Sequence, residues 1–111
     1  MSLDIWLTGA ACAACGRDGE EFYTGNVTYN LGAMWAEAGV KDALYEAEGH
    51  TAEELLPAFR DALELMESDP PRFEKHDSPN GWGNYVGAVR FLRELVGACE
   101  AHPTAIFGTW R

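Results

Sequence analysis

Residues 2–8 read Ser-Leu-Asp-Ile-Trp-Leu-Thr, so that aliphatic side chains alternate with polar ones and with Trp6. A period of two is typical of a strand with one buried and one outer face. Residues 21–30 resume the β character with Phe, Tyr, Val and Thr. Between the two, residues 9–20 hold three glycines and two cysteines, a composition that indicates a turn. We therefore expect a β-hairpin.

After Asn30 the apolar residues recur at steps of three and four, as in helices. Thr51 and Glu54 have the spacing of a capping box, which marks the start of a helix that must end before Pro70-Pro71. The predicted helical segments are a short helix with Asn30 as its cap and Gly39 as its end, a further turn or two over 41–47, the helix that begins at Thr51, and a last helix over 84–101. Residues 104–110 predict a final strand.

The order β-β-α-α-α-β predicts a single α+β domain over residues 1–111. Its sheet is expected to be three-stranded and antiparallel, with about three helices packed on one face. The third strand can lie beside either the first or the second, and the sequence leaves this open.

Composition restricts the function. The 111 residues include 18 Asp and Glu against 8 Lys and Arg, a formal charge of −10. Such a charge disfavours direct binding to nucleic acid phosphates, which depends on Lys and Arg. No stretch reaches the roughly 20 apolar residues of a membrane span, and no signal peptide is recognisable. We expect a cytoplasmic protein without a membrane partner.

Strand alternation turns one face of the hairpin toward the helices and leaves Trp6, Phe22, Asn26 and Thr28 on the far side. Aromatic anchors among hydrogen-bonding side chains are typical of an interface, so we predict a homodimer or partner contact there. The alternative is that residues 69–83, which read as a loop carrying Phe73 and Trp82, fold over this face.

Asn26, Thr28 and Asn30 form a row of short donors and acceptors on one face of the second strand. Such a row can hold a nucleotide base, a sugar or a peptide backbone. The alternative is a solvated face followed by a helix cap.

Cys12-Ala-Ala-Cys15-Gly has the spacing of half a tetrahedral zinc site. Cys99 and His102, three residues apart at the end of the last helix, are the candidates for the other two ligands of a structural zinc. They reach the cysteine turn if the third strand lies beside the first. Otherwise Cys99 is a buried small side chain. A redox role is less favoured, because this motif joins two strands instead of starting a helix.

Asn80-Gly-Trp82-Gly predicts a tight turn with a packed indole, followed by Asn84 as the cap of the last helix. In the functional interpretation Trp82 is a stacking or anchoring side chain beside the loop.

Taken together, the run Asn26-Val-Thr28-Tyr29-Asn30-Leu and the Asn-Gly-Trp-Gly segment at 80–83 resemble a family of small proteins of bacteriophages and prophages. The resemblance covers nearly the whole chain. The chain departs from this family at Tyr29, where the family tends to carry His. The resemblance implies an accessory protein of phage origin that acts in the host cell on host or defence components.

The three histidines have no nucleophile or carboxylate at motif spacing, so no catalytic residue can be assigned. A non-enzymatic protein that binds a host or defence protein or a small signalling nucleotide is therefore the first expectation. A small metal-assisted hydrolytic enzyme is the alternative. Residues 42–77 carry 11 acidic and 3 basic residues, which also allows an anti-defence protein that imitates nucleic acid.

Overall fold

The structure is a computed structural model that describes residues 2–9, 21–77 and 83–110. Three strands and five α-helices follow one another, with one 3-10 turn over Tyr29–Leu31. The elements are β1 (Ser2–Thr8), β2 (Glu21–Thr28), α1 (Gly32–Ala38), α2 (Lys41–Tyr45), α3 (Ala52–Ser68), α4 (Pro70–Glu74), α5 (Tyr85–Ala101) and β3 (Ile106–Trp110). The α+β class and the antiparallel three-stranded sheet predicted from the sequence are confirmed.

Strand β1 is the centre of the sheet, in the order β2-β1-β3. The third strand thus lies beside the first, which settles the alternative that the sequence left open. Leu3, Ile5 and Leu7 of β1 are fully buried, as the alternation predicts, and they are joined by Val27 of β2 and Phe107 of β3. This inner face carries the hydrophobic core.

Helices α3 and α5 form most of the layer over the inner face. Phe59 of α3 meets Phe107 edge-on, with ring centroids 5.8 Å apart. At the start of α3, the Glu54 carboxylate accepts hydrogen bonds from the backbone N–H of Thr51 at 3.3 Å and from its hydroxyl at 3.1 Å. The Asn84 side chain accepts from the Gly87 N–H at 2.8 Å and caps α5. Both predicted helix starts are therefore confirmed.

Helix α1 ends at Gly39, whose φ of 76° places it in the left-handed region that favours glycine. Its N-cap is Leu31, and Asn30 lies in the preceding 3-10 turn. The prediction that Asn30 caps this helix is therefore wrong.

The segment predicted as a loop over 69–83 contains helix α4. Pro70 and Pro71 start it, because a proline needs no hydrogen-bond partner in the first turn. Phe73 is fully buried, and α4 contacts α1, α3 and α5. The described part of this segment therefore packs into the helical layer instead of folding over the other face of the sheet.

Backbone hydrogen bonds close the outer edge of β3. Gly49 donates to the Phe107 carbonyl at 2.9 Å, and the Phe107 N–H donates to the His50 carbonyl at 2.8 Å. Thr51 forms a bridge with Ile106, and Ala52 donates to the Ala105 carbonyl at 2.8 Å. Among the helices that the structure describes, none is long and apolar enough to cross a membrane.

Candidate binding face

The side of the sheet turned away from the helices is called here the outer sheet face. It comprises Ser2, Asp4, Trp6 and Thr8 of β1, Glu21, Thr24, Asn26 and Thr28 of β2, and Ile106, Gly108 and Trp110 of β3. Trp110 is 71% exposed and Ile106 37%, and Thr24 and Asn26 are also exposed. Over these residues the face is open to solvent.

Trp6 lies flat on the outer sheet face because its neighbour has no side chain. Gly108 is directly opposite Trp6 in the register of β1 and β3. A Cβ atom on Gly108 would overlap the indole of Trp6. The glycine therefore lets the ring rest on the β3 backbone, and Trp110, opposite Asp4, adds a second indole on the same face.

Hydrogen-bonding side chains lie beside the two indoles. The Asn26 amide donates to the Ser2 hydroxyl at 3.0 Å and to the Asp4 carboxylate. The Thr24 hydroxyl donates to Glu21. Since each carboxylate oxygen has several lone pairs, Asp4 and Glu21 can still accept hydrogen bonds from a bound molecule.

Phe22 does not share this face with Trp6, and the prediction that it does is wrong. The register shifts between Leu7 and Thr8, so that Tyr23 is opposite Leu7 while Glu21 is opposite Thr8. Phe22 is therefore the extra residue of a bulge, which interrupts the alternation of the strand. Its ring stacks on His102 after α5, with centroids 4.0 Å apart and planes 2° apart.

The predicted row of Asn26, Thr28 and Asn30 is broken after its second member. Strand β2 ends at Thr28, and Asn30 lies in the 3-10 turn, where its N–H donates to the Thr28 hydroxyl at 3.3 Å. Gly83 lies beside both, since a Cβ there would be 3.0 Å from Thr28 and 3.1 Å from Asn30. The end of β2 and the start of α5 thus meet at one corner of the outer sheet face. Trp82 lies outside the described residues.

The predicted zinc site requires β3 to lie beside β1, and it does. Of the four predicted ligands, Cys99 and His102 are among the described residues. The end of α5 lies near the end of the sheet where β1 stops and β2 starts, as the stacking of His102 on Phe22 shows. Cys99 is fully buried, and burial, with a contribution from Glu100, raises its pKa to about 12. Cys12 and Cys15 lie outside the described residues. Within the residues that are described, no three His, Cys, Asp or Glu cluster as a metal site.

Charge is distributed unevenly between the sheet and the helices. Among the described residues, Asp4 and Glu21 are the only charged ones of the outer sheet face. Most of the acidic excess belongs to α2, α3, α4 and their connections, in residues 42–77. The outer sheet face is therefore the weakly charged side of a strongly acidic protein.

One carboxylate of the helical layer holds three basic side chains. Glu37 of α1 pairs with Arg72 at 3.0 Å, with Lys75 at 3.1 Å and with His76 at 3.5 Å. Hydrogen bonds from Lys75, Arg72 and His76, in that order of size, lower the pKa of Glu37 to about 2. The cluster joins α4 to α1.

Trp110, Ile106 and Gly108 were not among the residues singled out from the sequence. Residues 104–110 read as a strand, but alternation alone does not decide whether Phe107 or the pair Ile106 and Trp110 faces the core. The structure decides this, because Phe107 is buried. Alternation from Phe107 assigns Ile106, Gly108 and Trp110 to the other face.

The chain matches none of the protein-family models, curated proteins or solved structures with which it was compared.

Proposed function

We propose that this chain is a non-enzymatic binding protein of phage type, and that its outer sheet face docks on a host or defence protein. The observation that carries the proposal is the pair of indoles, Trp6 resting on Gly108 and Trp110 at 71% exposure. Large aromatic side chains supply much of the binding energy of protein interfaces. Asn26 and Thr24 beside them provide the hydrogen bonds that fix orientation.

A protein partner fits this face better than a signalling nucleotide. The phosphates of a nucleotide need Lys, Arg or a helix N-terminus as counterparts. Within the part of the outer sheet face that the structure describes, the only charged side chains are acidic, Asp4 and Glu21. These two carboxylates favour a partner with an apolar centre and basic residues at its rim.

The test is capture of partners from a lysate of the host bacterium, with the protein and two variants as bait. We expect Trp110→Ser to lose the captured protein, because the substitution removes an indole that is 71% exposed and leaves the core untouched. Val86→Ser is the matched control, since Val86 is 64% exposed on α5, in the layer that covers the inner face. The control is expected to retain the partner.

A purified partner then allows a titration. Trp6→Ser and Trp110→Ser are each expected to weaken binding by 2 kcal/mol or more, about 30-fold, as for hot-spot residues. Equal capture by all three proteins, or a loss with Val86→Ser alone, would refute the assignment of the partner to the outer sheet face.

A further inference from the structure

The two edges of the sheet differ. The edge of β3 is closed by residues 49–52, which bond to the backbone of Phe107 and Ala105. The edge of β2 receives no backbone hydrogen bond from any other described segment. An open strand edge is a template for pairing with another strand.

The groups that β2 presents at its edge follow from the bonds of β3. The backbone N–H and C=O of Phe107 bond to residues 49–50 and so point away from β1. Those of the next residue, Gly108, therefore point toward β1. Trp6, which is opposite Gly108, therefore forms its backbone hydrogen bonds with β3. The neighbouring Ile5 forms its backbone hydrogen bonds with Gly25 of β2. Directions alternate along a strand, so Thr24 and Asn26 direct their N–H and C=O groups outward. Thr28 directs its N–H outward, while its C=O begins the 3-10 turn over Tyr29–Leu31.

We propose that β2 pairs with β2 of a second copy of this chain, antiparallel and centred on Asn26, to form a six-stranded sheet. In this register Asn26 lies opposite Asn26 of the second copy, and Thr24 lies opposite Thr28. The Asn26 pair exchanges two backbone hydrogen bonds, and the Thr28 N–H of each copy donates to the Thr24 carbonyl opposite it. Thr–Thr and amide pairs are also compatible across strands.

A second copy fits this edge, because the hydrogen-bonding pattern and the charge of β2 are compatible with those of another β2. Residues 22–28 carry no charge, whereas the whole chain has a formal charge of −10. Natural edge strands usually repel one another through lysines, prolines or inward charges, and this segment has none of these. Two copies that meet here also keep their acidic segments 42–77 in the helical layers, away from the strands that pair.

Helix α5 runs along β2 from one end of the strand to the other. It packs on β2 through Phe91, which approaches Gly25, and His102 follows it onto Phe22. On the exposed side next to these two, helical spacing places Gly87, Glu94, Ala98 and Ala101, of which three are small.

Pairing at this edge goes beyond the proposed function and is independent of it, because it uses the backbone of β2 and leaves the indoles exposed. It would join the outer sheet faces of two copies into one surface with four indoles.

The mass of the full chain in solution tests the proposal, by light scattering over a range of concentrations. We expect about twice the chain mass of 12.2 kDa. Asn26→Pro removes an outward N–H at the centre of the pairing, and the mass is expected to fall to that of one chain. Thr109→Pro is the matched control, because its N–H also points outward but at the other edge; this variant should remain dimeric.

A pair of double variants tests the register. T24K/T28E places a lysine opposite a glutamate at both ends and should remain a dimer, whereas T24K/T28K places lysines opposite each other and should be monomeric. Both keep the sequence of the core, and circular dichroism checks that both fold. Amide exchange gives a second measurement: Asn26 and Thr28 should be protected in the dimer, and Thr28 should exchange fast in Asn26→Pro monomers.

Three results would overturn the proposal. They are a parent protein with the mass of one chain at every concentration, a dimer that survives Asn26→Pro, and a dimer that is lost with Trp110→Ser but not with T24K/T28K. The last result would place the second copy on the outer sheet face.

Discussion

Replacing Phe73 by Ala tests whether the segment after α3 is part of the core. Phe73 is fully buried in α4, a helix of five residues that contacts α1, α3 and α5. Deleting a buried Phe side chain costs about 3–5 kcal/mol through lost transfer energy and the cavity that remains. A domain of this size has a total stability of roughly 5–15 kcal/mol, so the substitution should remove between about a fifth and all of it.

Urea denaturation followed by circular dichroism measures the loss. We expect the melting temperature to fall by roughly 12–20 °C as well, at about 4 °C for each kcal/mol. Val86→Ala, at a position 64% exposed, is the control and should change stability by less than about 0.5 kcal/mol. A loss below about 1 kcal/mol for Phe73→Ala would refute the placement of α4 in the helical layer.

Three further predictions concern titratable groups. Because the Glu37 pKa is lowered from 4.5 to about 2, the folded protein binds fewer protons than the unfolded chain between these values, and stability falls as the pH falls through this window. Glu37→Gln should flatten the fall and lower stability at neutral pH, whereas Glu48→Gln, at an exposed position, should do neither; parallel acid titrations of unfolding decide this. Burial raises the pKa of Cys99 to about 12, so it should resist alkylation at pH 8 and react only on unfolding, as peptide mass spectrometry would show; fast labelling of the folded protein would contradict this. If Cys12 and Cys15 hold a structural zinc, metal analysis should find about one zinc per chain and none in C12S/C15S; a zinc-free protein, with a double variant that folds normally, would reduce the motif to a turn.

The elements predicted correctly are those specified by local patterns. Leu, Ile and Leu alternate in β1, and capping residues mark the starts of α3 and α5, so a reading of neighbouring residues is sufficient there. The place of β3 in the sheet was left open, because strand pairing depends on contacts between distant parts of the chain. Phe73 was read as a loop residue, since a short helix started by two prolines has too few apolar positions to show a period.

The sequence predicts an outer face that combines aromatic and hydrogen-bonding side chains, but it assigns one residue, Phe22, to that face wrongly. Trp6 and Asn26 lie on it as the alternation requires. Phe22 does not, because the bulge opposite Leu7 and Thr8 adds a residue to one strand, and a period of two carries no information about where a bulge falls. Trp110 supplies the second aromatic side chain instead.

Asn26 shows why the two proposed contacts can be separated by experiment. Its side chain lies on the outer sheet face and donates to Ser2 and Asp4, while its backbone N–H and C=O point to the open edge of β2. Asn26→Ala removes the first set of groups and keeps the second, whereas Asn26→Pro removes the outward N–H as well. A partner protein on the face should therefore respond to both substitutions and to Trp110→Ser. A second copy at the edge should respond to the proline alone, because strand pairing uses backbone groups that alanine retains.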